Sequence, residues 1–348
     1  MANEKKTVRE PSFILALVPI VAMIGFMLYC FHGHSETGYH DAHLPLVMSI
    51  IVACIVGFIC GHSFQEMLAG MVERLAASME AVLILATVGF LVTSFMLSGA
   101  IPTMIVYGLD LLTPQLFLPV GCILCAIVGM ACGSSWTTTA TIGLAFLGIG
   151  AGLGIPAPIT AGMIISGAYV GDKFSPLSDT TNLAAAVAGT GLFDHVTAMV
   201  STTGPTLLLS LILYTILGLI VDTSAYDATV AEGIQEAFRG AFTISPILLL
   251  PIIVVIVMCI LRVPGLVGIA VSVATAVVFM LIFQSTDIYY SRSLGDIFDV
   301  LHYGNAVETG NAVADSILGK AKGMDGMMWT INLILVALAY GGALERCG

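Results

Sequence analysis

Charge is what this 348-residue chain has least of. Only 9% of its residues are Asp, Glu, Lys or Arg, while 58% are hydrophobic and the mean hydropathy is +1.03. A soluble domain carries roughly 25% charged residues, so lipid is the solvent for most of this chain. Basic residues are scarcer still, with 11 Lys and Arg against 22 Asp and Glu and a net charge of -11. That balance argues against nucleic acid as a partner, because phosphate binding needs a basic face. There is no GxxxxGK[ST] loop, no HExxH and no GxSxG, so nucleotide hydrolysis and those two hydrolase chemistries lack a signature. The longest absence runs from Leu111 to Gly171, which contains no Asp, Glu, Lys, Arg or His.

Glycine, by contrast, is plentiful. The 37 glycines suit close helix packing and interrupted helices. The eight cysteines, Cys30, Cys54, Cys60, Cys122, Cys125, Cys132, Cys259 and Cys347, sit almost entirely in apolar runs and read as small core residues. Cys122 and Cys125 form a CxxC, but no second ligand pair accompanies them, so no metal site is assigned.

The fold class that follows is all-α, a polytopic transmembrane bundle with discontinuous helices, forming one membrane domain over residues 1–348. Residues 1–12 hold Lys5, Lys6 and Arg9 and read as a cytoplasmic tail. Residues 13–60 carry two leading spans and residues 204–283 three connecting ones. Residues 61–203 form a first repeat and 284–348 the start of a second. Met67 to Ser78 reads as an amphipathic interface helix. Ala81 to Leu109 is uncharged and too long for one span of about 20 residues, so Gly99 and Pro102 are its expected break. Asp222 to Ala241 and Gln284 to Asp325 read as outer loops, although Arg292, Lys320 and Lys322 run against that orientation. Between the leading spans, His32, His34, His40 and His43 lie beside Glu36 and Asp41, a solvated loop or a group that titrates near neutral pH.

Gly89 to Ile101, GFLVTSFMLSGAI, echoes Asn332 to Leu344, NLILVALAYGGAL, in the opposite inferred direction. That is the pattern of an inverted repeat. With the second repeat barely begun at Gly348, the chain reads as a C-terminally truncated piece.

Two polar segments interrupt this apolar background. GDKFSPLSDTTNLA, Gly171 to Ala184, ends the uncharged stretch with Asp172, Lys173, Ser175, Ser178, Asp179, Thr180, Thr181 and Asn182 around Pro176. Charges at membrane depth are costly and mark ion or substrate paths. Carboxylates, hydroxyls, an amide and carbonyls freed by proline are the ligand types a small hard cation uses. Either Asp172 or Asp179 takes a cation or a proton, never both together, and Lys173 is an alternative group for the charge change. The plainer reading is an Asp–Lys pair that only fixes a bend. The second segment, GSSWTTTATIG at Gly133 to Gly143, offers Ser134, Ser135, Thr137 and Thr138 to complete the shell, or else simply packs helices. Trp136 reads equally as a gate or as packing.

GDKFSPLSDTTNLA resembles the signature of the NhaC-type sodium/proton antiporter family. AGTGLFDHV (Ala188 to Val196), STTGP (Ser201 to Pro205), GSSWTTTATIG and KGMDGMMWTINLILVALAYGGALE (Lys322 to Glu345) extend the likeness over most of the chain. The resemblance implies a secondary transporter, not an enzyme, that exchanges Na+ for H+ in a bacterial inner (plasma) membrane without a cofactor. Members that exchange malate for lactate with these ions share the motif, so an organic-acid antiporter is the alternative. A non-transporting membrane scaffold or enzyme is the third reading, and it leaves the buried acids without a reason. The partners implied are Na+, H+ and the lipid bilayer; a homodimer is left open.

Overall fold

A computed structural model describes residues 9–32, 41–132, 135–175, 178, 180–181, 184–185, 188, 190–220, 228–261, 263–284, 294–304, 307–319 and 321–347. Every regular element among them is helical, which bears out the all-α class. By length and composition four helices can cross a membrane, or up to six if each of two bent helix pairs is one span. The chain divides into two compact units, residues 1–86 with 327–348, and residues 87–326.

The first unit contains α1 (Phe13–His32), α2 (His43–Ile59), α3 (Phe64–Ala77), the start of α4 (Met79–Leu97) and the last helix, α16 (Asp325–Cys347). α3 begins as its sequence directs. Ser63 caps it in a reciprocal box with Glu66, which satisfies two backbone N–H groups that a helix start leaves open. Its inner face buries Met67 and Met71 with Leu46, Ala53, Cys54, Tyr340, Ala343 and Cys347. Tyr340 donates from Oη to the Pro19 carbonyl at 3.0 Å, so the phenol enters the apolar core with its polar atom satisfied. At the other end of α16, His43 stacks edge-on against Trp329 with ring centroids 5.2 Å apart and hydrogen-bonds the Asp41 carboxylate. His34, His40 and the side chain of His32 lie outside the described residues.

The second unit contains the rest of α4, then α5 (Ala100–Leu111), α6 (Pro114–Cys132), α7 (Ser135–Thr138), a π-helical turn (Thr139–Gly143), α8 (Leu144–Gly152) and α9 (Ala157–Phe174). These are followed by α10 (Leu192–Ile220), α11 (Ala228–Ala241), a 3-10 turn (Pro246–Leu249), α12 (Leu250–Ile260), α13 (Gly265–Phe283), α14 (Leu294–Tyr303) and α15 (Ala312–Leu318). The expected break after α4 falls at Ser98–Gly99. Gly99 sits at φ +81, a left-handed conformation natural to glycine. Pro102 does not break the chain, because it lies in the first turn of α5, where a missing N–H costs nothing. Buried Gln284 stitches the break. Its amide donates to the Ser98 and Thr243 carbonyls at 2.9 and 3.3 Å, and its oxygen accepts from Thr243 N–H at 2.9 Å.

Three expectations about elements change. The span expected from Gly204 extends back to Leu192, a 29-residue helix with Pro205 inside it. The stretches read as loops contain α11, and α14 and α15. Sparse, mixed polarity made these look like loops; their apolar residues face inward at helical spacing, with Ile234 and Phe238 fully buried in α11. Gln235 then anchors α11 to α5, donating to the Val106 carbonyl at 3.1 Å and to Asp110 at 2.8 Å.

Candidate cation-binding site

The site lies within the second unit, and its geometry starts from glycine. Gly167 and Gly171 stand one helical turn apart on α9 and face α6. A Cβ at Gly171 would overlap the Ala126 carbonyl, and one at Gly167 would overlap the Cys122 carbonyl. On the opposing helix, a Cβ at Gly129 would come to 2.7 Å from the Ala168 carbonyl. The small-xxx-small spacing thus lets the two backbones touch, the mode of helix association that lipid favours. Asp172 follows Gly171 directly and is carried into this contact, only 5% exposed.

Asp172 occupies the last turn of α9, where the helix terminus already carries partial negative charge. A carboxylate there adds to that charge and is relieved by a cation or a proton. Ser135, at the start of α7, donates from Oγ to Asp172 Oδ2 at 3.3 Å. The chain beyond α9 then turns back. Thr181 donates from Oγ1 to the Asp172 and Lys173 carbonyls, both at 3.3 Å, and so serves the carbonyls that a helix end leaves unpaired. Ser178 Oγ lies 3.0 Å from Thr180 Oγ1 and accepts from Thr181 N–H at 3.4 Å. Ser135, Thr138, Thr141, Ser175, Ser178 and Thr181 are all buried.

The second polar segment stays helical but changes its winding. α7 passes into the π turn at Thr139, and Thr139 Oγ1 donates back to the Ser135 carbonyl at 2.8 Å. Thr141 Oγ1 does the same to Thr138 at 3.4 Å. Hydroxyls bonding back to carbonyls bend helices, and π turns recur at functional sites.

Of the residues expected at the site, Asp172, Ser135, Ser178 and Thr181 share this buried hydrogen-bonded neighbourhood. Ser175 caps α9, its N–H donating to the Asp172 carbonyl at 3.1 Å. Thr138 is buried one turn from Ser135. Thr180 is exposed, which removes it from the buried set, and Lys173 is half-buried. No ion pair joins Asp172 to Lys173 among the described residues. Trp136 is 54% exposed. Ser134, Asp179 and Asn182, and the Thr137 side chain, lie outside the described residues. Gly129, Gly167 and Gly171 were not singled out from sequence, although GAYVG carries the small-xxx-small signal openly.

A family model described as the Na+/H+ antiporter family matches residues 167–348, just over half of the chain, including Asp172 and the polar residues that follow it. The chain belongs to the Na+/H+ antiporter family. It is 34% identical over 308 residues to the Na+/H+ antiporter NhaC of Alkalihalophilus pseudofirmus, covering 88% of this chain and 65% of that one. It is also 36% identical over 343 residues to the arginine/ornithine antiporter ArcD of Halobacterium salinarum (98% of this chain, 68% of that one). A third relative is the malate-2H+/Na+-lactate antiporter of Bacillus subtilis, 32% identical over 345 residues (99% and 71%). The chain therefore spans roughly two thirds of the length of these relatives. No solved structure matches it. Family membership and the apolar helices make this antiporter-family chain a multi-pass membrane protein. The relatives' names differ in what is exchanged, so the family fixes the class of transport and not the cargo.

Proposed function

We propose that the chain is the part of a Na+/H+ antiporter, in a cell inner membrane, that holds the exchanged ion at Asp172. The single observation that carries this reading is a buried carboxylate at a helix C-terminus with a hydroxyl directed at it from a second helix, just before that helix's π turn. Na+ and H+ compete for that negative charge, since each alone neutralises it. Ser135 supplies an oxygen to the ion shell when Na+ is bound and a hydrogen bond to the carboxylate when it is not. Thr181 and Ser178 hold the chain behind α9 in place, with Thr181 serving the Asp172 and Lys173 carbonyls. Asp179 is the second candidate carboxylate, with Asn182, Ser134 and Thr137 as further ligands. Alternating access follows from an inverted repeat of residues 61–203 against a counterpart beginning at 284–348.

A carboxylate cargo is the second reading, because one relative is named for malate and lactate. The carboxylate at the site favours cations, which supports the first. The test reconstitutes the protein in vesicles loaded with Na+ and follows internal pH and 22Na+ release. Proton uptake that needs only a Na+ gradient supports Na+/H+ exchange. Release that occurs only after malate, lactate, arginine or ornithine is added outside overturns it.

A further inference from the structure

α3 of the first unit is two-sided. Phe64, Leu68 and Val72, one turn apart, are 60%, 44% and 54% exposed and form an apolar stripe. At 100° per residue, Gly70, Glu73 and Arg74 lie across the helix from that stripe. Such a helix rests at the membrane interface, its stripe toward the acyl chains and its polar side at headgroup and water level.

On that polar side α3 crosses α16 with a glycine from each helix at the contact. A Cβ at Gly342 would stand 2.6 Å from the Gly70 carbonyl oxygen and 3.0 Å from Arg74 Cβ. A Cβ at Gly70 would stand 2.9 Å from the Gly342 carbonyl oxygen and 3.0 Å from Arg346 Cβ. Each arginine stem is thereby drawn against the other helix. A cavity of about 290 Å³ opens there, with Gly70 and Gly342 at its base and Glu73, Arg74, Glu345 and Arg346 on its walls. Its volume is near the low end of small-molecule sites. None of these four charges forms an ion pair among the described residues. Nearby Glu66 is engaged in the Ser63 cap and also feels the Arg346 charge.

Two guanidinium groups and two carboxylates sum to zero, so the lining suits a zwitterion better than a bare anion. The guanidinium fork matches the oxygens of a phosphate or carboxylate. The glutamates accept from the three N–H groups of a primary ammonium. A quaternary ammonium has no N–H to give and seeks an aromatic face, and among the described residues none that lines the cavity is aromatic. We propose that this cavity binds a zwitterion pairing a primary ammonium with an oxyanion, the chemistry of phosphoethanolamine, with Arg74 and Arg346 on the oxyanion and Glu73 and Glu345 on the ammonium. The site is separate from the Asp172 site and does not rest on the proposed exchange.

The source of the group is either a phosphatidylethanolamine headgroup or a free zwitterion, and one experiment separates them. The purified protein is titrated with O-phosphoethanolamine and with phosphocholine by calorimetry. In parallel, phosphatidylethanolamine and phosphatidylcholine are counted on the protein by native mass spectrometry. The expected result is at least a tenfold preference for the amine over the choline form in one arm or both. Preference in the lipid arm alone identifies the headgroup, and preference in the soluble arm identifies the free zwitterion. The R74Q/R346Q and E73Q/E345Q variants are each expected to lose that preference with an unchanged melting temperature. Equal binding of amine and choline forms in both arms, which needs no variant, overturns the proposal. So does preference that survives both double variants.

Discussion

Replacing Asp172 with Asn separates a dry ion site from a solvated one by magnitude. A unit charge about 4 Å from a cation is worth about 1 kcal/mol in bulk water and about 4 kcal/mol at the effective dielectric of a protein interior. Asp172 is 5% exposed, so the larger figure applies. At about 1.4 kcal/mol per decade, D172N should weaken apparent Na+ affinity on the order of a thousandfold, while a screened surface charge would lose only about fivefold. Asp172→Glu keeps the charge and should recover part of the loss, which excludes a merely structural effect. Removing the Ser135 hydroxyl (S135A) takes one neutral oxygen from the proposed ion shell, so apparent Na+ affinity should fall, but by far less than in D172N, where a full charge is lost. The assay is 22Na+ uptake into proteoliposomes against external Na+ concentration, with wild type and D179N alongside. D172N exchange within about fivefold of wild type would refute the dry-site argument. If D179N alone is inactive, the role passes to that carboxylate.

Three further outcomes follow from packing and hydrogen bonding. G171L drives a branched side chain into the Ala126 carbonyl, which should cost about 1–3 kcal/mol as overpacking and separate α6 from α9; a cysteine crosslink between these helices, formed in the wild type and lost in the variant, checks it. Gln284→Leu leaves the Ser98 carbonyl and the Thr243 N–H without their buried partner, so thermal unfolding in detergent should reveal a loss of about 1–3 kcal/mol per stranded group. Asp315 accepts from the Thr309 N–H and hydroxyl at 2.6 and 2.7 Å, and these bonds hold its carboxyl below the ordinary range. A lowered value means the turn is stabilised above the ordinary value of about 3.9 and loses that support as pH falls through the lowered one. Hydrogen exchange at the Thr309 amide should therefore quicken on the acid side, and an Asp315→Asn variant should show no such step.

The amino-acid sequence by itself determined the solvent and the punctuation. Scarce charge dictates lipid, glycine marks the break at Gly99, and the return of Asp172 after a long uncharged run marks the polar site. Those are properties of neighbours along the chain, legible from composition and spacing. Helices over Ala228–Ala241 and Ala312–Leu318 were harder to read, because short amphipathic segments with mixed polarity look like loops until a packing face is present. Tertiary structure alone decided which hydroxyl meets which carboxylate. Ser135 and Asp172 are 37 residues apart, and their meeting depends on how closely α6 and α9 approach at Gly129, Gly167 and Gly171. Likewise, nothing local pairs Gln284 with Ser98, 186 residues away. A buried amide must find partners somewhere, and only the folded arrangement of helices says where.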